Sequence, residues 1–314
     1  MIQCLGSQKD IENLNWEIII VDNNSSDNTK EVAYAFCEGT NLKVNYIFEP
    51  KIGLSNARNS GILVSKGSFL LFIDDDVLIP KEFICNALFG IHEFPEFHIF
   101  GFRLLPDWQE VSRPPFWLTT KKPINLIQSF LPTHDLGVET LQYPNRKAKN
   151  PIGACFLVKK EAFEKLGPFR EDLGAGQSGV CEDTEFFWYA IINKFKILYW
   201  PYATLYHPVD PERLTISYLH KWYFNLGKSL YLIKNTGRLC KLLKKDSVHL
   251  PKVRGLSSQL LCFNSPIFLW TKLFALFLLL PFTLPLLIIK RPFYVSTMFT
   301  KAIGEVKQSL IAQY

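Results

Sequence analysis

The chain has 314 residues, 48% of them hydrophobic and 20% charged, and a net charge of +6. So apolar a chain is not disordered, and its length allows one domain with an appendage or two small domains. Seven cysteines stand at scattered positions with no CxxC pair, which argues against a zinc site or a disulfide framework and suits a reducing compartment.

The opening residues, MIQCLGSQKD, lack the apolar core of a secretory signal, so none is expected. Trp16–Val21 (WEIIIV) is a short β-branched run that suits a buried parallel strand. Ser26–Phe36 reads as a helix with Ser25, Ser26 and Asp27 as capping candidates. Leu42–Phe48 is a second strand, Ser55–Val64 a helix and Phe69–Ile73 (FLLFI) another buried strand. Pro80–Phe89 reads as a helix with proline in its first turn. Residues 103–150 carry Pro106, Pro114, Pro115, Pro123, Pro132 and Pro144, which predicts a long loop or lid. Pro151–Val158 is expected to be a strand, Lys160–Lys165 and Asp183–Asn193 helices, and Phe195–Trp200 the last strand. This alternation predicts an α/β fold with a mostly parallel sheet between helices.

The charge is split. Met1–Glu212 carries 20 Lys and Arg against 27 Asp and Glu, whereas Arg213–Tyr314 carries 15 against 2. The expected division is therefore an α/β domain over residues 1–212 and a basic helical tail over 213–314. Thr215–Lys234 sets Ile216, Leu219, Trp222, Tyr223, Leu226 and Leu230 at helical spacing with Lys221 and Lys228 among them, an amphipathic pattern. Leu273–Ile289 is a run of 17 uncharged residues between Lys272 and Lys290-Arg291. That is at the short limit for spanning a bilayer, and Pro281 and Pro285 would kink it. Basic residues beside an apolar run suit an anionic leaflet better than nucleic acid, so phospholipid is the expected partner and an anchor is expected near 267–289. Packing on the domain core is the plainer alternative.

In α/β sheets ligands collect beyond the carboxyl ends of the strands, and there the chain is acidic. Asp74-Asp75-Asp76 directly follows FLLFI. Three adjacent carboxylates repel, and a hard divalent ion, Mg²⁺ or Mn²⁺, is the natural relief. A solvated acidic turn is the alternative. Asp22-Asn23-Asn24 follows the WEIIIV strand, where an Asp can accept from a base or ribose and Asn shapes the turn, though such residues are ordinary in turns. Arg58 falls between Gly53 and Gly61, where it is either a surface charge, the commoner case for a lone Arg on a helix, or a group that reaches a base or diphosphate. Glu182-Asp183 follows the glycine-rich stretch LGAGQSG and opens a helix; Asp183 there is a helix cap, a catalytic carboxylate, or both. His207 comes just past the expected last strand.

The ordered set WEIIIVDNNSSDNT, GLSNARNSGI, FLLFIDDDV, GACFLVKKEAFEKLGPFRED, CEDTEFFWYAI and His207 resembles the family 2 glycosyltransferases of GT-A fold over about two thirds of the chain. The resemblance implies that Asp22 contacts a nucleotide base, with Asn24 in the same turn, and that Arg58 serves the base or diphosphate. It places Asp74, Asp75 and Asp76 at the donor, with Asp76 and His207 as metal ligands. It makes Asp183, beside Glu182, the catalytic base. The implied activity is inverting, divalent-metal-dependent transfer of a sugar from a nucleotide-sugar, expected to be UDP-linked. The acceptor would be a glycan or lipid-linked hydroxyl, in cell-surface polysaccharide synthesis at the cytoplasmic face of the membrane. It further implies that Met1–Gln8 lies in the family's first helix, so that the usual first strand is missing and Trp16–Val21 lacks ladder partners along one side. A sugar nucleotidyltransferase, or an impaired membrane-bound adaptor that keeps the fold, would share the acidic site.

Overall fold

The computed structural model describes residues 1–40, 42–111, 130–131, 133–148, 150–243 and 301. They divide into two compact units, one of Met1–Asp172 with Glu182–Pro211 and one of Leu173–Cys181 with Glu212–Tyr314.

The first unit opens with helix α1 (Ile2–Gly6), then strand β1 (Ile18–Asp22), α2 (Thr29–Gly39), β2 (Val44–Phe48), α3 (Leu54–Val64), β3 (Phe69–Ile73) and α4 (Phe83–Glu93). It continues through β4 (Ile99–Asp107), β5 (Leu141–Tyr143), β6 (Cys155–Lys159), α5 (Lys160–Leu166), α6 (Glu182–Ile192) and β7 (Ile197–Pro208). β1 and β2 form a parallel pair, and the other five strands form a separate sheet in the order β3-β6-β4-β7-β5. Only β4 and β7 run parallel within that sheet; β6 is antiparallel to both neighbours and β5 to β7. The sheet is therefore mixed where a mostly parallel one was expected, because β6 enters between β3 and β4 from the opposite end. Among the described residues β1 pairs only with β2 and β3 only with β6, which matches the expectation that the first strand run lacks a ladder partner on one side.

Alternation along the strands buries both faces of the five-stranded sheet. Phe100, Phe102 and Leu104 of β4, Leu157 of β6, and Leu198 and Trp200 of β7 join Phe83, Ile84 and Ala87 of α4 on one side. Phe156 and Val158 of β6, and Ile197 and Tyr199 of β7, join Ala162 and Phe163 of α5 and Phe186 and Phe187 of α6 on the other. The result is a helix–sheet–helix sandwich.

β7 is longer than its sequence suggests. Pro201 cannot donate to a ladder, and the register slips there: Phe102 pairs with Trp200 but Arg103 with Thr204. The strand resumes after this bulge and runs to Pro208, so His207 lies inside β7 and not past its end. A bulge of this kind re-aims the side chains that follow. The turn after β3 is held against the resumed strand, since Leu78 and Tyr206 exchange backbone hydrogen bonds of 2.8 and 2.9 Å.

The second unit holds a 3-10 turn (Pro211–Leu214), α7 (Ile216–Asn235) and α8 (Gly237–Leu243). Thr215 caps α7 by accepting from the Tyr218 N–H at 3.2 Å. The glycine-rich loop packs on this helix: Ser178 and Ser229 share a hydroxyl hydrogen bond of 2.8 Å. Gly179 has φ +112° and a side chain there would strike Asn225. Among the described residues no helix is long and apolar enough to cross a membrane. The run Leu273–Ile289, and with it the anchor expected near 267–289, lies outside the described residues.

Phe102 is 1% exposed and meets the Phe83 ring edge-on, with centroids 5.3 Å apart. Phe102→Ala should destabilise the first unit by about 3–5 kcal/mol, the usual cost of emptying such a site. A urea titration should show a lower midpoint at unchanged slope, and a midpoint within error of wild type would contradict this packing.

Candidate active site

The acidic block lands at the end of β3 because FLLFI fills one strand and Asp74 takes the next backbone position, its N–H donating to the Ala154 carbonyl at 2.9 Å. Asp74 is half-buried, while Asp75 and Asp76 are exposed on the turn. Across from them α6 opens with Glu182 and Asp183, and the helix dipole favours acids in its first turn. Asp183 also holds its own helix start, its Oδ1 accepting from the Thr184 N–H at 2.6 Å.

Arg58 ties these elements together. It is 7% exposed on α3. Its Nη1 donates to Glu182 Oε1 at 2.8 Å, and its Nη2 to the Gly153 carbonyl at 2.9 Å and to Asp74 Oδ1 at 3.3 Å. The guanidinium carbon lies 5.5 Å from the Phe156 ring centroid and 5.7 Å from that of Phe169, within cation–π range. Burial works against the Arg58 charge, but Glu182, Asp74 and Asp183 outweigh it and raise its pKa. Burial pushes the Asp74 carboxyl up to about 6, opposed by Arg58 and reinforced by Asp76 and Glu182. Asp183 is raised as well, by burial first and by the Glu182 charge second, with Arg58 opposing. The arginine expected to face a base or diphosphate is thus engaged by protein carboxylates.

Asp76 and His207 form a second group. Asp76 Oδ2 lies 3.2 Å from His207 Nε2, with the histidine side chain 4% exposed and the aspartate 47%. His207 Nδ1 stands 2.8 Å from the Pro208 carbonyl. A carbonyl only accepts, so Nδ1 donates to it and Nε2 is the nitrogen that faces Asp76. An imidazole nitrogen and a carboxylate oxygen thus stand side by side at the turn after β3. Among the described residues no group of three or more His, Cys, Asp or Glu side chains is placed to hold a metal. Imidazole nitrogen and carboxylate oxygen are both ligand types that a divalent ion takes.

Asp22 ends β1 on a separate turn. Its Oδ1 accepts from the Ser25 N–H at 2.8 Å and its Oδ2 from the Tyr46 hydroxyl at 2.7 Å. Burial opposes ionisation of Asp22, but these hydrogen bonds prevail and lower its pKa. Tyr46 is pushed up to about 12 by the same bond and by burial. Each carboxylate oxygen keeps a second lone pair. Asn24 has φ 60°, a conformation Asn tolerates better than most residues.

Three residues that were not expected to touch a ligand tie the site's elements together. Asn23 donates to the carbonyls of Glu49 (3.2 Å) and Lys51 (2.8 Å) and accepts from the Gly53 N–H at 2.7 Å, tying the β1 turn to the start of α3. Asn59 brackets Phe169, donating to its carbonyl at 3.0 Å and accepting from its N–H at 2.9 Å. Gly153 accepts from Arg58. Both asparagines sat inside the quoted motifs, and an amide, which donates and accepts, was the available signal.

The mixed sheet thus carries an acidic turn after β3 and a histidine on β7, with a pair of acids at the start of α6. The chain belongs to glycosyl transferase family 2, whose sequence profile matches residues 1–167. It is 26% identical over 200 residues to a poly-beta-1,6-N-acetyl-D-glucosamine synthase of Staphylococcus epidermidis, covering 63% of this chain and 44% of that one. It is 30% identical over 87 residues to the poly(ribitol-phosphate) beta-N-acetylglucosaminyltransferase TarS of Staphylococcus aureus, covering 28% and 15%. The chain thus spans less than half the length of these curated relatives. In structure it is similar to the mannosyltransferase PcManGT of Pyrobaculum calidifontis, solved with GDP-Man and Mn²⁺, at TM-score 0.62 and 17% identity. That match covers 100% of this chain and 83% of the other, and shares the GT-A fold.

Arg58→Leu leaves Glu182 and part of Asp74 buried against an apolar side chain. Breaking a buried ion pair from one side costs about 3–5 kcal/mol, so the variant should melt well below wild type. Arg58→Lys, which keeps the charge but loses the fork, should fall between. Equal melting temperatures for all three proteins would refute the clamp.

Proposed function

We propose that the chain transfers a sugar from a nucleotide-sugar to an acceptor hydroxyl by single displacement with inversion. The reading is carried by Arg58, which brings the carboxylate after β3 and the Glu182-Asp183 pair to one point in a family 2 chain. Asp183 is the base: it takes the acceptor proton as that oxygen attacks the anomeric carbon, while the bond to the leaving diphosphate breaks. Glu182 fixes Arg58 and, through its charge, keeps Asp183 basic. Asp74 and Asp75 face the donor. Asp22 keeps lone pairs for a base N–H, and Asn24 shapes the turn that would hold it.

Asp76 and His207 are the residues that would hold a divalent ion, Mn²⁺ or Mg²⁺. When bound it supplies positive charge to the diphosphate. The names of the two staphylococcal relatives favour N-acetylglucosamine as the sugar, UDP as the carrier and a polysaccharide as the acceptor. GDP-mannose, bound in the Pyrobaculum enzyme, is the alternative donor. The excess of basic residues over 213–314 supports association with an anionic membrane face, on the cytoplasmic side.

The test is a screen of nucleotide-sugars, UDP-N-acetylglucosamine and GDP-mannose included, for turnover with Mn²⁺ or Mg²⁺ and after chelation. Asp183→Asn should lower kcat by about 10²-fold or more at nearly unchanged donor affinity, as loss of a general base requires. Only ionised Asp183 accepts a proton, and its pKa is raised. The wild-type kcat should therefore fall on acidification well above the ordinary carboxylate range near ~4. A flat profile down to that range, or an active Asp183→Asn enzyme, would remove Asp183 from the chemistry.

A further inference from the structure

Gly153 stands in the turn that leads into β6, and two of its properties meet at the site. Its carbonyl accepts from Arg58 Nη2 at 2.9 Å, and its neighbour Ala154 accepts from the Asp74 N–H at 2.9 Å. Its missing side chain matters as much. A Cβ at Gly153 would lie 2.6 Å from Asp183 Oδ2, 3.0 Å from its Cγ and 3.1 Å from its Cβ. Gly153 is not among the residues with positive φ, so the backbone itself would accept any L-residue there. What excludes a side chain is the Asp183 carboxylate.

The carboxylate has little room to yield. Its other oxygen is bound to the Thr184 N–H at 2.6 Å, and its Cβ is fixed by the backbone of α6. Turning the group away from Gly153 means giving up that bond or swinging toward Glu182, where like charges repel.

We propose that Gly153 is a positioning residue for the base. The space it leaves sets where Asp183 Oδ2 points, and its carbonyl sets where the Arg58 guanidinium sits between the acids. The proposal rests on the reading of Asp183 as the base. A methyl group at residue 153 therefore acts on proton removal and leaves donor binding alone. A misplacement of this size at a reacting group costs rate far more than affinity.

The experiment is a double-mutant cycle on the full chain with Gly153→Ala, Asp183→Asn and the pair. It reads kcat and KM with UDP-N-acetylglucosamine or GDP-mannose, whichever the wild type turns over, binding of the matching UDP or GDP with Mn²⁺, and the melting temperature. Gly153→Ala should lower kcat by tenfold or more with nucleotide affinity within about twofold. In the Asp183→Asn background it should cause no further loss, since the group it displaces no longer acts. A Gly153→Ala enzyme with kcat within twofold of wild type, or losses that multiply in the pair, would overturn the proposal. Should Asp183→Asn itself stay active, the assignment of the base fails instead. If Gly153→Ala does not fold, Gly153→Ala with Asp183→Gly removes the obstructing side chain. Recovery of a cooperative melt then supports the proposal, and continued failure overturns it.

Discussion

A single guanidinium governs this molecule's site. Three carboxylates stand within reach of Arg58, and two of them accept its hydrogen bonds. Acids gathered at the end of a strand and the start of a helix repel one another, and burial makes their charge costlier still. A planar cation with five donors answers both problems, because one Nη reaches Glu182 while the other spans Asp74 and a backbone carbonyl. The clamp also links four pieces of chain that are far apart in sequence: α3, the β3 turn, the lead into β6, and α6.

The site has two electrostatic halves as a result. The inner half carries its own permanent cation, which leaves Asp183 less fully compensated than Glu182, to which Arg58 is bonded. A carboxylate in that position holds its proton more readily, as a base for a hydroxyl should. The outer half pairs Asp76 with His207 at the turn after β3. On the proposed reading, this carboxylate and imidazole are the groups that would hold a divalent ion beside the donor diphosphate. The bulge at Pro201 and the Leu78–Tyr206 exchange make this half, because without them β7 would not carry His207 to the acidic turn.

Much of this was legible in the residues. FLLFI ends where β3 ends, so the placement of Asp74 was readable, and the glycine-rich stretch before Glu182-Asp183 with the apolar run after it gave α6 to within a residue. The losses have definite causes. Pro201 marks an apparent strand end, whereas the ladder passes it by a bulge, so His207 was placed beyond β7 instead of within it. Pro106 hid β4, since a proline near a strand end reads as a break although only its N–H is lacking. Pairing direction was invisible because β6 is as apolar as a parallel strand, being buried on both faces by α4 on one side and by α5 and α6 on the other. Arg58 looked like a ligand-facing charge because sequence spacing does not record which way a buried side chain turns. Gly153 opens one of the quoted motifs, but its packing role was not readable, since it depends on a carboxylate from a helix thirty positions along the chain.

The proposed function makes one chemical claim: a single carboxylate, oriented by Gly153 and electrostatically offset by Arg58, removes the acceptor proton in one displacement. The most direct measurement is the anomeric configuration of the first-formed product, read by proton NMR during turnover of an anomerically pure nucleotide-sugar. The account predicts a product linkage of configuration opposite to the donor's. A product that retains the donor's configuration would contradict it.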